Sequence, residues 1–155
     1  MILVLITIST KCISLNKEDK KIILINSNKQ SINMTDNSLT FTGKVAIHYN
    51  FINIQADFVK ISYQQGKNKY KIIEGYGNPI TFKKLKKNNE LITGQCLKFH
   101  YETNDNKILL IGKAYIKKSN NYIQADYINY LINKNRIQAY SDNGKQVITK
   151  IILHS

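Results

Sequence analysis

Apolar residues recur at every second position along most of this chain. After Gly43, Val45, Ile47 and Tyr49 share one parity against Lys44, Ala46 and His48. The alternation returns at Ile54, Ala56 and Phe58, at Leu97, Phe99 and Tyr101, at Ala114 and Ile116, and at Ile123, Ala125 and Tyr127. A period of two puts one set of side chains on one face of a strand, and helical periodicity is hard to find. Between the runs lie turns rich in Asn, Gly and Lys, such as "TDNS", "KKNNE", "TNDN" and "SDNG". The pattern predicts an all-β, antiparallel protein of roughly a dozen short strands, each about four to eight residues long. The single proline, Pro79, sits in "GYGNP", where a turn absorbs its missing donor.

The strands are also repeated. "LTFTGKVAIHYNFINIQADFVKI" aligns without a gap over 23 positions with "ILLIGKAYIKKSNNYIQADYINY", at an offset of 69 residues. A weaker pair follows: Ile72 to Ile80 resembles Ile137 to Val147, at an offset near 65. Repeated strand pairs imply units that stack edge to edge, each covering its neighbour's apolar face. In such a stack Gly43 and Gly112 relieve a crowded corner or bulge, and Ala56 and Ala125 sit where backbones approach. Apolar residues fall on successive positions at Phe58-Val59 and again at Tyr127-Ile128, which points to a corner at the same place in both copies. The aromatic of each copy is expected to face the interior.

The repeated Ile-Gln-Ala-Asp phrase invites a catalytic reading of Asp57 and Asp126. Parity argues otherwise: with Ala56 and Ala125 inside, each Asp points out and is suited to accept backbone N–H groups as a turn cap. His48 and His100 also point outward, and His154 is next to the terminus. No HExxH, GxSxG, P-loop or dinucleotide fingerprint is present, so no catalytic residue, metal or cofactor is expected. Cys12 and Cys96 are too far apart in the chain for a zinc site, and Cys96 reads as a small strand residue.

Composition bears on partners. The chain of 155 residues suits one domain, and its formal charge of +13 favours anionic surfaces or ligands. Arg136 is the only arginine, which weakens any base-reading role, since bidentate contacts prefer the Arg fork. The densest basic run, Lys83, Lys84, Lys86 and Lys87, reads as a solvated turn. Residues 1–17 open on the apolar run Ile2 to Ile8, too short to span a bilayer, and read as an abbreviated signal-like segment. Residues 21–150 form the β domain and 151–155 a short tail.

The phrases "LTFTGKVAIHY", "INIQADFVKI", "QGKNKYKIIEGYGNPITF", "ITGQCLKFHYE" and "LLIGKAYIKKSNNYIQADYINYLINKNRIQAYSDNGKQVITK" closely resemble the LptA (OstA) family of periplasmic bridge proteins in lipopolysaccharide transport. The resemblance runs over residues 21–150. It implies an open, slightly twisted antiparallel β-jellyroll, V-shaped in section, with no catalysis and no cofactor. Its apolar groove would hold the acyl chains of lipopolysaccharide (its lipid A part) while the sugars stay in water. Copies would join head to tail through edge strands. They would bridge an LptC-like inner-membrane protein to an LptD-like outer-membrane translocon.

Ile23, Ile25, Phe82 and Tyr101 match lipid-contacting positions of the family; Met34, Phe41, Ile47 and Phe99 join them by parity alone. The family places a basic residue where this chain has Tyr63. Two alternatives remain at this level. One is an adaptor jellyroll of the same pathway, LptC-like or like the LptD N-terminal domain. The other is a basic nucleic-acid-binding β domain, which needs exposed aromatics interleaved with lysines. The tyrosines lie mostly on the apolar parity, Tyr115 and Tyr122 excepted, so no nucleic-acid partner is expected.

Overall fold

The computed structural model describes residues 22–49, 51–64, 70–86, 88–134 and 136–153. They form strands β1 (Ile23–Asn26), β2 (Lys29–Asn33), β3 (Ser38–Tyr49), β4 (Ile52–Gln64), β5 (Tyr70–Leu85), β6 (Leu91–Glu102), β7 (Lys107–Lys118), β8 (Asn121–Leu131), β9 (Arg136–Tyr140) and β10 (Ile148–Lys150). One short 3-10 turn, Ile132–Lys134, precedes β9. All ten strands join one antiparallel sheet in the order β1-β3-β4-β5-β6-β7-β8-β10, with β2 also on β3 and β9 also on β8. The sheet does not close: β1 and β2 lie at one end, β9 and β10 at the other.

The all-β, open antiparallel expectation holds, but the strands are fewer and longer than the punctuation implied. β3 to β8 run 11 to 16 residues each. The reason is that the central glycines bend strands without ending them. Thr42 pairs with Phe58 and Val45 with Ala56, so Gly43 and Lys44 face Asp57 alone. The second copy does the same: Ile111 pairs with Tyr127 and Ala114 with Ala125, leaving Gly112 and Lys113 opposite Asp126. Both residues of each pair are left-handed, with φ of 78° and 47° at Gly43-Lys44 and 75° and 47° at Gly112-Lys113. Such two-for-one bulges sharpen the twist and turn the strand. Register shifts fall at the same level between β4 and β5, β5 and β6, and β6 and β7. Together they crease the whole sheet along one line. β1 and β2 then lie on the two sides of the crease along β3, and β10 and β9 on its two sides along β8.

The crease also corrects the facing of the repeated aromatic. The phase changes at the Asp, one residue earlier than the sequence suggested. Val59 and Ile128 therefore take the interior, each 0% exposed. Phe58 instead packs on Tyr76 and Tyr127 on Tyr140 across the outer face, with ring centroids 5.7 Å and 4.8 Å apart. Cross-strand aromatic pairs of this kind hold neighbouring strands in register.

Inward residues from both sides of the crease form one hydrophobic cluster, including Phe41, Val45, Ile47, Val59, Ile80, Phe99, Leu110 and Ile128. Fully burying such an aliphatic side chain contributes about 1.5–3 kcal/mol. Cys96 is a free, buried member of the cluster, and burial pushes its thiol up to about 12, so it packs and does not react. Residues 1–17, Cys12 and His154 lie outside the described residues. Among the described residues, no helix is long and apolar enough to cross a membrane.

Candidate functional site

Burial of the inward side chains falls with distance from the crease. Next to it, Val45, Ile80, Cys96 and Ala114 are at most 1% exposed. One row further out, Ile47 is still buried, whereas Ile54, Phe82, Ile116 and Ile123 are only partly covered. In the outermost row Tyr49, Ile52 and Ile92 are half-buried, and Ile23 on β1 is 45% exposed. The two halves thus meet tightly at the crease and part toward their lips, leaving an apolar cleft lined from β1 through β3–β8 to β9.

The candidate lipid residues distribute along this gradient. Phe41 and Phe99 are buried near its base, and Ile47 is buried in the second row. Ile25, opposite Ile47, and Phe82, opposite Ile54, lie partly buried in the second row. Tyr101 is half-buried further out, and its hydroxyl donates to Asn106 Oδ1 at 3.4 Å. Burial, and then the nearby Tyr49 from across the crease, raise its pKa. Met34 is not with them: it sits in the turn between β2 and β3 and is 86% exposed. Ile54, Ile116 and Ile123, on the apolar alternation but not among the lipid candidates, pack against the same cluster, as do Ile73 and Ile108. For Ile73 and Ile108, parity counted from the bulges is the signal in the sequence.

Two aromatics of the cleft rest on glycines of the neighbouring strand. A Cβ at Gly94 would lie 2.2 Å from the Phe82 ring and 2.5 Å from the Tyr115 carbonyl oxygen. Gly75 has the same relation to Phe99.

The repeated carboxylates cap backbone, but across strands and not within their own turn. Asp57 Oδ2 accepts the Asn78 N–H at 3.1 Å. Asp126 Oδ2 accepts the Asp142 N–H at 3.2 Å, and its Oδ1 meets Lys145 Nζ at 3.3 Å. The weaker second repeat is thereby explained: "GYGNP" and "AYSDNG" each supply the backbone that an Asp caps. Neither Asp faces the cleft, and the described residues hold no group of three or more His, Cys, Asp or Glu placed to bind a metal.

On the outer face His48 Nδ1 meets Asn53 Oδ1 at 2.6 Å. His100 is held by two carboxylates, Glu102 at 2.7 Å and Glu74 at 3.1 Å. Burial opposes its charge, yet the two carboxylates outweigh burial and raise its pKa. The outer row Phe58, Tyr76, Lys98, Ile111, Tyr127 and Tyr140 puts more aromatics outside than Tyr115 and Tyr122 alone. These rings are occupied by one another, and Lys98 Nζ stands 5.3 Å from the Tyr76 centroid. At Tyr63 a cation is present after all: Lys71 Nζ lies 5.3 Å from its ring centroid.

An unclosed, creased antiparallel sheet with an apolar inward face defines a class by its architecture: the open β-jellyroll. A family profile described as "LptA/(LptD N-terminal domain) LPS transport protein" matches residues 24–136. The lipopolysaccharide export system protein LptA of Escherichia coli K12 is 36% identical over 130 residues, which cover 84% of this chain and 70% of that protein. The Haemophilus influenzae LptA is 29% identical over 148 residues, 95% of this chain and 86% of that protein. Among solved structures, LptH of Pseudomonas aeruginosa, the LptA-homologous periplasmic component of its lipopolysaccharide transport device, superposes with a TM-score of 0.74. That match covers 86% of this chain and 96% of LptH at 15% identity, and supports the fold alone. The chain belongs to the LptA/LptD N-terminal domain family of lipopolysaccharide transport proteins. Its role is transport, not catalysis.

Proposed function

We propose that the cleft holds the acyl chains of lipopolysaccharide and that copies of the chain join head to tail, in the periplasm, to bridge the two membranes. The observation that carries this reading is the apolar inward face, which runs from β1 through β3–β8 to β9 and so reaches both ends of the sheet. An acyl chain needs a long apolar path without a tight polar pocket, and burial here loosens gradually from crease to lip. The ends are suited to strand addition, a recognised binding mode in which main-chain bonds give affinity. Leu24 at one end and Ile148 and Ile151 at the other leave large apolar groups exposed there, available to a stacking neighbour. By the same edges the ends of a stack would meet an LptC-like inner-membrane protein and an LptD-like outer-membrane translocon.

Native mass spectrometry of the protein with and without lipopolysaccharide tests both parts. Adducts of one lipid per protomer and a ladder of oligomers are expected. Lipid adducts on a strictly monomeric protein would favour the adaptor role in the same pathway, and absence of both would overturn the proposal.

A further inference from the structure

The two lips of the cleft differ in charge. One lip is formed by the turns after β3, β5 and β7. Its described residues include Lys83, Lys84, Lys86, Lys117 and Lys118 against the single carboxylate Glu90. The other lip mixes signs, with Asp36, Glu102 and Asp105 near Lys60, Lys71 and Lys107. On the basic lip, register aligns Tyr49, Ile52, Lys84, Ile92, Lys118 and Asn121 in one row across the sheet. This row has inward parity, directly beyond Phe82 and Ile116. Lys84 and Lys118 therefore stand at the mouth of the cleft, interleaved with Ile52 and Ile92. Their neighbours Lys83 and Lys117 point to the outer face.

Charge at this mouth is not neutralised. Glu90 is shared by Lys86 at 3.4 Å and Lys118 at 3.2 Å. Lys84 has no carboxylate within ion-pair distance among the described residues. Lys84 and Lys118 are two strands apart, about 10 Å, which spans a disaccharide-sized headgroup.

We propose that this lip is where the phosphate-bearing headgroup of a multiply acylated glycolipid rests, on Lys84 and Lys118, while its chains pass Ile52 and Ile92 into the cleft. The proposal rests on the lipid-carrying reading above and assigns polarity to it: sugars and phosphates leave by the basic lip. Isoleucine between lysines suits an amphiphile, whose chains and anionic groups meet at that boundary.

The test uses the full chain and two probes, bisphosphorylated lipid A and the same acylated disaccharide stripped of phosphate. The wild type is expected to prefer the phosphorylated probe by about 3- to 30-fold, as two partly exposed ion pairs allow. In Lys84→Gln/Lys118→Gln this preference disappears while affinity for the phosphate-free probe stays unchanged. A control pair on the other lip, Lys107→Gln/Lys134→Gln, keeps the preference. The inference is overturned if the first double variant retains the preference, if the control loses it equally, or if the wild type binds both probes alike. Failure of the wild type to bind either probe would instead sink the lipid-carrying reading, and this inference with it.

Discussion

Gly94→Ala adds one methyl group at the place where Phe82 crosses the neighbouring strand. Phe82 and Gly94 are partners in register, and the new Cβ would stand 2.2 Å and 2.5 Å from two Phe82 ring atoms. It would also stand 2.5 Å from the Tyr115 carbonyl oxygen, a backbone atom that cannot rotate away. Overpacking of this kind costs about 1–3 kcal/mol. Loss of glycine's freedom in the unfolded chain returns about 0.4–1 kcal/mol. The net loss is about 1–2 kcal/mol, or about 2–8 °C in Tm for a chain of this size. Phe82→Ala alone removes a partly buried ring and is expected to cost about 2–3 kcal/mol. Urea denaturation of both single variants and the double variant then closes a cycle. Because Gly94→Ala has no ring to clash with once Phe82 is gone, the double variant should be more stable than additivity gives, by about 1 kcal/mol. A Gly94→Ala protein as stable as wild type, or strictly additive losses, would refute the claim that this aromatic sits on that glycine.

Three further outcomes follow from the same geometry. Ile128→Ala should cost about 2–4 kcal/mol and Tyr127→Ala clearly less; equal losses in thermal melts would contradict the inward facing of Ile128. Asp126→Ala should cost about 0.5–1.5 kcal/mol through the lost, solvent-exposed bond from the Asp142 N–H, with no change in lipid affinity, as read by denaturation and titration in parallel. His100 has a raised folded pKa, so its contribution is complete below the ordinary histidine value of about 6.5 and is lost as pH rises through the higher folded value. Stability measured from pH 5.5 to 8.5 should therefore fall across that window, and His100→Gln should flatten the fall.

Strand character and repetition were legible because a period of two survives any tertiary context that buries one face. Gly43-Lys44 and Gly112-Lys113 were legible as corners, but their meaning as bulges inside continuous strands was not, since it depends on which residue stands opposite. That is why alternation alone sets Phe58 and Tyr127 inside: the phase change sits at the Asp, and only the cross-strand register reveals it. Met34 failed for a related reason, since parity carried past the end of β2 into a turn has no meaning. Lys84 reads as part of a solvated turn and Lys118 carries no motif, yet counting by two from Phe82 and Ile116 sets both on the inward face. The cross-strand caps of Asp57 and Asp126 required the fold, because their partners are remote in the chain.

The central claim is that the inward face of the creased sheet carries the lipid. A photoreactive amino acid placed at Ile25 or Tyr101, in the cleft, and at Lys98, on the outer face, tests it in the presence of lipopolysaccharide. Adducts from Ile25 and Tyr101 with none from Lys98 are expected; adducts from Lys98, with Ile25 and Tyr101 silent, would contradict the account.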